Sequence, residues 1–297
     1  MSVPPIAVTR DPAAVLARAA EVLRWLGDPE PAPLAEPPQG ALYIGADLGT
    51  AYLTLVVLDE SGTPVAGEYQ FAQVVRDGLV VDYAGAVERL AGMKARVEAR
   101  IGRPLEYAAS AYPPGVPLAE VRATANVVEA AGLRCETLVD EPSAANALLG
   151  IHNGAIVDVG GGTTGIAILR DGEVVYTADE ATGGTHFTLV IAGAHGVSFE
   201  DAEVMKTDPA QQARLLPVVH PVMEKVASIT ARHIAAYEQQ GGGTLDQLTL
   251  VGGTVTFPGM AQVVQEYTGI ATSVPPHPVF VTPIGMALHS RDVIART

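Results

Sequence analysis

The sequence predicts an α/β protein built from two related halves, and three observations carry that prediction. An apolar strand, a turn containing Asp-x-Gly and a returning apolar strand occur twice, at residues 42–58 and 155–169. Apolar strands and amphipathic helices alternate along the rest of each half, which is typical of layered α/β folds. The length of 297 residues is enough for one large or two modest domains with a sizeable core.

The second of these hairpins carries the clearest chemical signal. Its turn contains three consecutive glycines, Gly160 to Gly162, with almost no side chain at the tip. Such a turn lets the backbone approach a ligand closely and point N–H groups at it, an arrangement that suits phosphate. Asp158 stands just before the turn, where a carboxylate suits a hydrated Mg²⁺ ion.

The first hairpin repeats this pattern with Asp47, Gly49 and Thr50. A single glycine turn is weak evidence, because many hairpins end in glycine without binding a ligand. A second copy in the same chain favours two related half-molecules that face one phosphate chain from both sides.

Five segments resemble, in their order, the actin-like ATPase superfamily, which includes actin, bacterial filament proteins, sugar kinases and DnaK-type chaperones. They are the two hairpins and residues 140–147, 250–254 and 283–287. The resemblance implies the actin-like ATPase fold, with two duplicated α/β domains flanking a nucleotide cleft. The implied domains are residues 41–150, completed by 275–297, and residues 151–274.

Three further segments are not general motifs of that superfamily and carry a narrower resemblance. Residues 71–78, 111–115 and 178–184 are similar to the chaperone-like EutJ family of ethanolamine-utilisation operons. From residue 41 onward this resemblance implies an ATP-driven, chaperone-like conformational switch of ethanolamine utilisation. The implied partners are ATP or ADP and a protein client or shell component of that system.

The resemblance also implies roles for single residues around ATP and Mg²⁺, the implied cofactors. Asp47 and Asp158 would hold Mg²⁺ through waters, and Glu141 would orient the attacking water; these three are the predicted catalytic residues. The residues implied to contact phosphates or nucleoside are Gly49, Thr50, Gly160, Gly161, Gly162, Thr163, Gly183, Gly184, Glu203, Lys206, Gly252 and Gly253. Without the resemblance, Glu141 could simply cap its helix, and an i,i+3 pair such as Glu203 and Lys206 is more often a solvated surface pair.

Two departures from the superfamily pattern weaken the case for hydrolysis. Gly165 stands where chaperones and many filament proteins carry an acid, and Arg76 is the nearest basic residue to the place of the chaperones' catalytic lysine. The sequence therefore predicts slow ATP hydrolysis. The alternative is a non-hydrolysing, nucleotide-binding scaffold or adaptor of a bacterial microcompartment.

Residues 1–40 are predicted to lie outside the two domains. Residues 11–27 show helical spacing of apolar side chains, with Asp11 as N-cap and Gly27 as the stop. Prolines make residues 28–40 a stiff, extended linker. The apolar face of the helix would dock on its own core, pair with its copy in a dimer, or recruit the protein to a microcompartment shell, and the layout favours recruitment.

Composition excludes other classes of function. A net charge of -15 disfavours binding to nucleic acid or to an anionic membrane surface. The seven histidines and the single cysteine, Cys135, show no metal-ligand spacing, and one cysteine permits no internal disulfide. Without a recognisable signal peptide, the expected location is the cytoplasm, in association with a bacterial microcompartment.

Overall fold

The computed structural model describes residues 11–29, 31–76, 79–116 and 118–294. The predictions for residues 1–10, Glu30, the turn at Asp77-Gly78 and the last residue of the final predicted helix lie outside this part of the chain. The described residues form two compact units. Unit 1 runs up to Gly150 and resumes at Val279, and unit 2 is Ile151–Pro278.

The elements of unit 1 are numbered in the order of the whole chain. Its strands are β1 (Leu23–Trp25), β2 (Tyr43–Leu48), β3 (Tyr52–Leu58), β4 (Pro64–Phe71), β5 (Val75–Arg76), β6 (Leu79–Val80), β7 (Tyr107–Tyr112) and β8 (Arg134–Asp140). Its helices are α1 (Pro12–Val22), α2 (Tyr83–Ile101), α3 (Leu118–Ala130), α4 (Glu141–Leu149) and α9 (Val281–Ile294).

One six-stranded sheet in the order β1-β4-β3-β2-β7-β8 forms the centre of unit 1. Strands β2, β3 and β4 follow one another antiparallel, since short turns join them. Strands β7 and β8 run parallel to β2, because α2 and α3 carry the chain across between them. Leu90, Met93 and Val97 of α2 are buried in the core beside this sheet.

Unit 2 repeats the scheme. Its strands are β9 (Gly154–Val159), β10 (Thr164–Arg170), β11 (Glu173–Glu180), β12 (Gln247–Val251) and β13 (Ala271–Ser273), and its helices are α5 (Gly184–His195), α6 (Phe199–Thr207), α7 (Pro209–Tyr237) and α8 (Met260–Thr268). Strands β9, β10 and β11 are an antiparallel run, and β12 and β13 continue the sheet parallel to β9. Apart from the additional edge strand β1 in unit 1, both sheets contain three antiparallel and two parallel strands, which agrees with the predicted duplicated α/β architecture.

Helix α7 contains two prolines in its interior. Proline inside a helix is unfavourable because it removes a backbone hydrogen bond. The structure begins the helix at Pro209, where the side chain of Asp208 caps it by accepting a hydrogen bond from the N–H of Ala210 at 2.9 Å, and continues it through Pro217 and Pro221. Burial of the helix in the core of unit 2 outweighs the local penalty at the two prolines.

The N-terminal helix is also corrected by the structure. Asp11 is its N-cap, as predicted, with the N–H of Ala13 donating to the side chain at 3.1 Å. The helix ends at Val22 rather than before Gly27, because residues 23–25 pair with β4 as the parallel edge strand β1. Its apolar face, formed by Val15, Leu16, Ala19 and Val22, is buried. Of the three alternatives, the structure therefore shows docking on the helix's own unit, and the preference for recruitment is not supported.

The linker is tied to unit 1 as well. The N–H of Leu34 donates to the carbonyl of Arg100 at 2.8 Å, and the guanidinium of Arg103 donates to the carbonyls of Pro38 and Gly40. These contacts hold the proline-rich segment against the end of α2. The segment is therefore fixed to unit 1 and does not act as the extended tether that the sequence predicts. We refer to residues 11–40 as the arm.

Truncation of Leu16 tests whether the arm is docked in solution. This side chain is 0% exposed, so Leu16→Ala should lower the free energy of unfolding by about 2–5 kcal/mol through lost burial and a residual cavity. Ala17→Ser, on the exposed side of the same helix, should change it by less than about 0.5 kcal/mol. Urea unfolding followed by tryptophan fluorescence measures both, and equal midpoints for the two variants would contradict docking.

The thiol of Cys135 in β8 should react slowly with disulfide reagents. Burial, and then the nearby Glu129 carboxylate, raise the pKa of Cys135 to about 11. Reaction with a disulfide reagent at pH 8 should therefore be at least about tenfold slower in the native protein than in urea, and should quicken as the pH rises. Because the folded pKa exceeds the unfolded one, the thiol favours the native state most below about pH 8.5, and this contribution is lost as the pH rises towards 11. Equal rates in native and unfolded protein would contradict this assignment.

Candidate functional site

The second glycine loop, residues 160–163, joins β9 to β10. The N–H of Gly160 donates to the carbonyl of Thr163 at 3.0 Å and closes the turn. The N–H of Gly184 donates to the carbonyl of Gly160 at 2.8 Å, and that of Thr185 to Gly161 at 2.7 Å, so the start of α5 rests on the loop. In the part of the chain that the structure describes, the N–H groups of Gly161 and Gly162 have no acceptor.

Glycine is required where α5 meets this loop. A Cβ on Gly183 would lie 2.8 Å from the carbonyl oxygen of Gly160 and 2.8 Å from the amide nitrogen of Thr163. A Cβ on Gly184 would lie 2.7 Å from the hydroxyl of Thr254. The predicted residues Gly183 and Gly184 are thus next to the second loop and allow the helix to start in direct contact with its backbone.

Asp158 is enclosed by the end of the neighbouring strand. Strand β12 runs parallel to β9 and places Val251 beside Asp158. The next residue, Gly252, has φ +91°, and a Cβ there would lie 2.5 Å from Oδ1 of Asp158. Two strands therefore bring Asp158, the loop and Gly252 together at their carboxyl ends, the edge of a sheet at which α/β proteins bind ligands.

Two residues that the sequence reasoning missed belong to this group. Thr254 follows the predicted Gly252-Gly253 pair and donates from its hydroxyl to the carbonyl of Gly160 at 3.0 Å. Asp179 pairs with Gly165 across β10 and β11, and its Oδ1 lies 3.7 Å from where a Cβ of Gly165 would be. Asp179 thus lies beside Gly165, the position where related proteins carry an acid. Only the pairing register of β10 and β11 could have indicated this.

Glu203 and Lys206 form a buried ion pair in α6, in place of the solvated pair that spacing alone suggests. Their Oε2 and Nζ are 2.5 Å apart, and the residues are 5% and 8% exposed. Lys206 also donates to the hydroxyl of Thr188 at 3.0 Å and to the carbonyl of Gly184 at 3.4 Å. Burial lowers the pKa of Lys206, against the opposing attraction of Glu203. The pair therefore supports the start of α5, where Gly184 meets the second loop.

Unit 1 holds the other part of the predicted set. The first glycine loop, residues 49–51, joins β2 to β3, and Asp47 pairs with Thr54 just before it. A Cβ on Gly49 would lie 2.8 Å from the carbonyl oxygen of Tyr52, so this turn is tight as well. Thr50 is half-buried in the same turn.

Glu141 is placed at the start of α4, directly after β8. Asp140 caps this helix, accepting a hydrogen bond from the N–H of Ser143 at 2.9 Å, so Glu141 is not the capping residue. Because β2, β7 and β8 are parallel, Asp47 and Glu141 belong to the same edge of the sheet of unit 1. Each unit thus gathers its own predicted residues at the carboxyl ends of its strands.

Two negative findings concern the described residues. Among them, no group of three or more His, Cys, Asp or Glu side chains is arranged to hold a metal ion. Within the same ranges, no helix combines the length and the apolar character needed to cross a membrane.

Comparison with known proteins shows the family. The chain matches the family of the type IV pilus assembly protein PilM over residues 121–283, just over half of its length. It is 41% identical over 255 residues to the ethanolamine utilization protein EutJ of Escherichia coli (strain K12), covering 86% of this chain and 88% of that relative.

Two solved structures extend the comparison. The crystal structure of the ethanolamine utilization protein EutJ from Carboxydothermus hydrogenoformans has a TM-score of 0.79 and 45% identity, covering 85% of this chain and 91% of that one. The crystal structure of MreB 5 of Spiroplasma citri bound to AMPPNP has a TM-score of 0.68 and 16% identity, covering 87% and 98%, and shows the fold alone. The predicted actin-like ATPase fold is confirmed. The chain therefore belongs to the family of the ethanolamine utilization protein EutJ.

Proposed function

We propose that the protein binds ATP with Mg²⁺, hydrolyses it slowly, and serves ethanolamine utilisation as a chaperone-like conformational switch. The observation that carries this proposal is the second glycine loop. Its Gly161 and Gly162 N–H groups have no acceptor among the described residues, and Gly162 is buried. Such donors, grouped in one turn beside a carboxylate, suit phosphate oxygens.

The support for a phosphate site lies in how rigidly the loop is held. Three bonds fix the carbonyls of Gly160 and Gly161, from the N–H groups of Gly184 and Thr185 and the hydroxyl of Thr254. A cradle fixed in this way loses little conformational entropy on binding, which favours affinity. The solved MreB 5 structure with the same fold is bound to AMPPNP, a nucleoside triphosphate analogue.

Mg²⁺ fits the donors that each unit offers. It prefers one or two carboxylates, several waters and phosphate oxygens to a cage made only of protein ligands. Asp47 beside the first loop and Asp158 beside the second match that preference, and both would act through waters. When bound, the ion would neutralise charge on the phosphates.

The nucleoside would be framed by Gly252, Gly253, Glu203 and Lys206. Gly252 has no side chain that could fill the space next to Asp158. Lys206 already donates to Gly184, Thr188 and Glu203, which uses the three donors of an ammonium group. Glu203 and Lys206 would therefore act on a nucleoside mainly indirectly, by holding the start of α5 in place.

Hydrolysis would depend on Glu141, since it stands in the first turn of α4 without serving as its cap. Asp179 supplies a carboxylate beside Gly165, the position where related proteins carry an acid. There it would help to hold waters around the metal. The displacement of this acid from β10 to β11 is a reason to expect slow turnover. The same displacement favours the second candidate function, a non-hydrolysing scaffold or adaptor of a microcompartment.

The biological setting comes from the relatives. Both EutJ proteins are named as ethanolamine utilization proteins, and this chain covers most of each. We assign the switch a protein client or a shell component of that system as partner, and the cytoplasm, in association with a microcompartment, as location. A net charge of -15 suits a basic protein surface better than nucleic acid.

Removal of the Asp158 carboxylate tests nucleotide binding. Asp158→Ala should weaken Mg·ATP binding at least about tenfold, or about 1.4 kcal/mol, because a metal-bridging group is lost. The matched control is Asp246→Ala, which removes an exposed carboxylate of the same unit and should bind as the wild type does. Titration calorimetry with and without Mg²⁺ measures both. Wild-type protein that gives no heat with millimolar Mg·ATP would refute ATP binding.

Paired acid variants test hydrolysis. Glu141→Gln should reduce turnover about a hundredfold with ATP affinity unchanged, since a group that places water acts mainly in the transition state. Asp179→Asn should reduce turnover and weaken the dependence on Mg²⁺. Glu136→Gln, at an exposed site in β8, is the control. Phosphate release under single-turnover conditions gives the rates, and no release above buffer from wild-type protein that binds ATP would favour the scaffold.

A further inference from the structure

A cavity of about 340 Å³ lies in unit 1, where the arm meets α2. The arm lines it with Arg24 and residues 31–33, and the body of the unit lines it with Glu68, Arg96 and Arg100, among others. None of these residues belongs to the predicted nucleotide site.

The charges around this cavity are unequal. Glu68 is 1% exposed and is paired with two arginines: Arg96, whose Nε lies 3.1 and 3.0 Å from the two carboxylate oxygens, and Arg24, whose Nη1 lies 3.2 Å from Oε1. One carboxylate compensates one guanidinium, so the three arginines leave an excess of positive charge. This excess stands out in a chain with a net charge of -15.

Arg100 shows the excess most clearly. Its Nη1 donates to the carbonyl of Val22 at 2.6 Å, whereas its Nε is buried and has no hydrogen-bond partner among the described residues. Burial, followed by the charges of Arg18 and Arg24, lowers the pKa of the Arg100 guanidinium. A buried donor without an acceptor is costly, and an anion in the cavity would offset the repulsion between these guanidinium groups.

Attachment of the arm alone does not account for these groups. Arg24 contributes to that attachment through its bond to Glu68, whereas its other two acceptors, the carbonyls of Asp28 and Leu26, belong to the arm itself. Neither the unpartnered Nε of Arg100 nor the cavity beside it contributes to such attachment. Guanidinium groups present several N–H donors in a fixed plane, which matches the oxygens of phosphate and carboxylate groups.

We propose that Arg24, Arg96 and Arg100 form a binding site for a small oxyanion, a phosphate or carboxylate group, at the seam between the arm and the body of unit 1. Arg24 belongs to the arm, and the other two belong to α2. An anion held by all three therefore binds best when the arm is docked, and its binding stabilises the docked arm by linkage.

The test is titration of the full chain with inorganic phosphate, and separately with citrate, at constant ionic strength. Trp25, the single tryptophan, lies next to Arg24 in β1, so its fluorescence reports on the seam, and the melting temperature gives a second readout. We expect a saturable change and a higher melting temperature with at least one of the two anions. The stronger response identifies phosphate or carboxylate as the preferred group.

Arginine variants locate the response. Arg96→Gln and Arg100→Gln should each reduce the affinity for the anion at least about tenfold, as expected for loss of a charged hydrogen bond. Arg214→Gln, at an exposed position in unit 2, should behave as the wild type. Arg100→Lys, which keeps the charge but not the planar fork, should give an intermediate affinity and serves if Arg100→Gln fails to fold.

Three results would overturn the proposal. They are the absence of any saturable response to either anion at millimolar concentration, an unchanged response in folded Arg96→Gln and Arg100→Lys proteins, and an equal loss of response in Arg214→Gln. The second would place the anion elsewhere, for example on a glycine loop, and the third would show general charge screening.

Discussion

Direct contact between backbones, made possible by glycine, holds the candidate site of unit 2 together. The second glycine loop, the start of α5 and the end of β12 are far apart in the sequence, yet they meet without intervening side chains. A Cβ on Gly183 would come within 2.8 Å of atoms of the loop, and one on Gly252 would come within 2.5 Å of Asp158. Since real Cβ atoms do not approach so closely, a larger residue at either position would displace the loop whose N–H groups form the proposed phosphate cradle.

The same constraint orders unit 1. A Cβ on Gly285 of α9 would lie 1.7 Å from the carbonyl oxygen of Ala144 in α4, and one on Gly45 of β2 would lie 2.2 Å from that of Pro283. Helix α9 is thus pressed both against α4, which begins with Glu141, and against the strand that carries Asp47. The positions of Asp47 and Glu141, the predicted catalytic acids of this unit, therefore depend on α9. This helix begins almost 140 residues after the start of α4.

The sequence predicted what is local and missed what depends on partners distant in the chain. The hairpins, the cap at Asp11 and the α/β class could be predicted, because strand alternation, turn glycines and capping residues act over a few positions. The strand β1, the docked arm and the full length of α7 could not, since each is stabilised by contacts with other elements that override local preference. Asp179 was missed for a related reason: only strand register places it beside Gly165.

The arm contributes to the support of the first glycine loop as well as to stability. The ring of Trp25 in β1 packs on those of Tyr52 and Tyr69, with centroids 5.8 and 5.3 Å apart. Tyr52 is the residue whose carbonyl lies against Gly49, and Tyr69 packs in turn on Phe280, just before α9. Because aromatic rings at these distances restrict one another, docking of the arm restricts Tyr52 and, through it, the turn that holds Thr50. The N-terminal segment, which the sequence suggests is an appendage, thus supports the group of predicted site residues in unit 1.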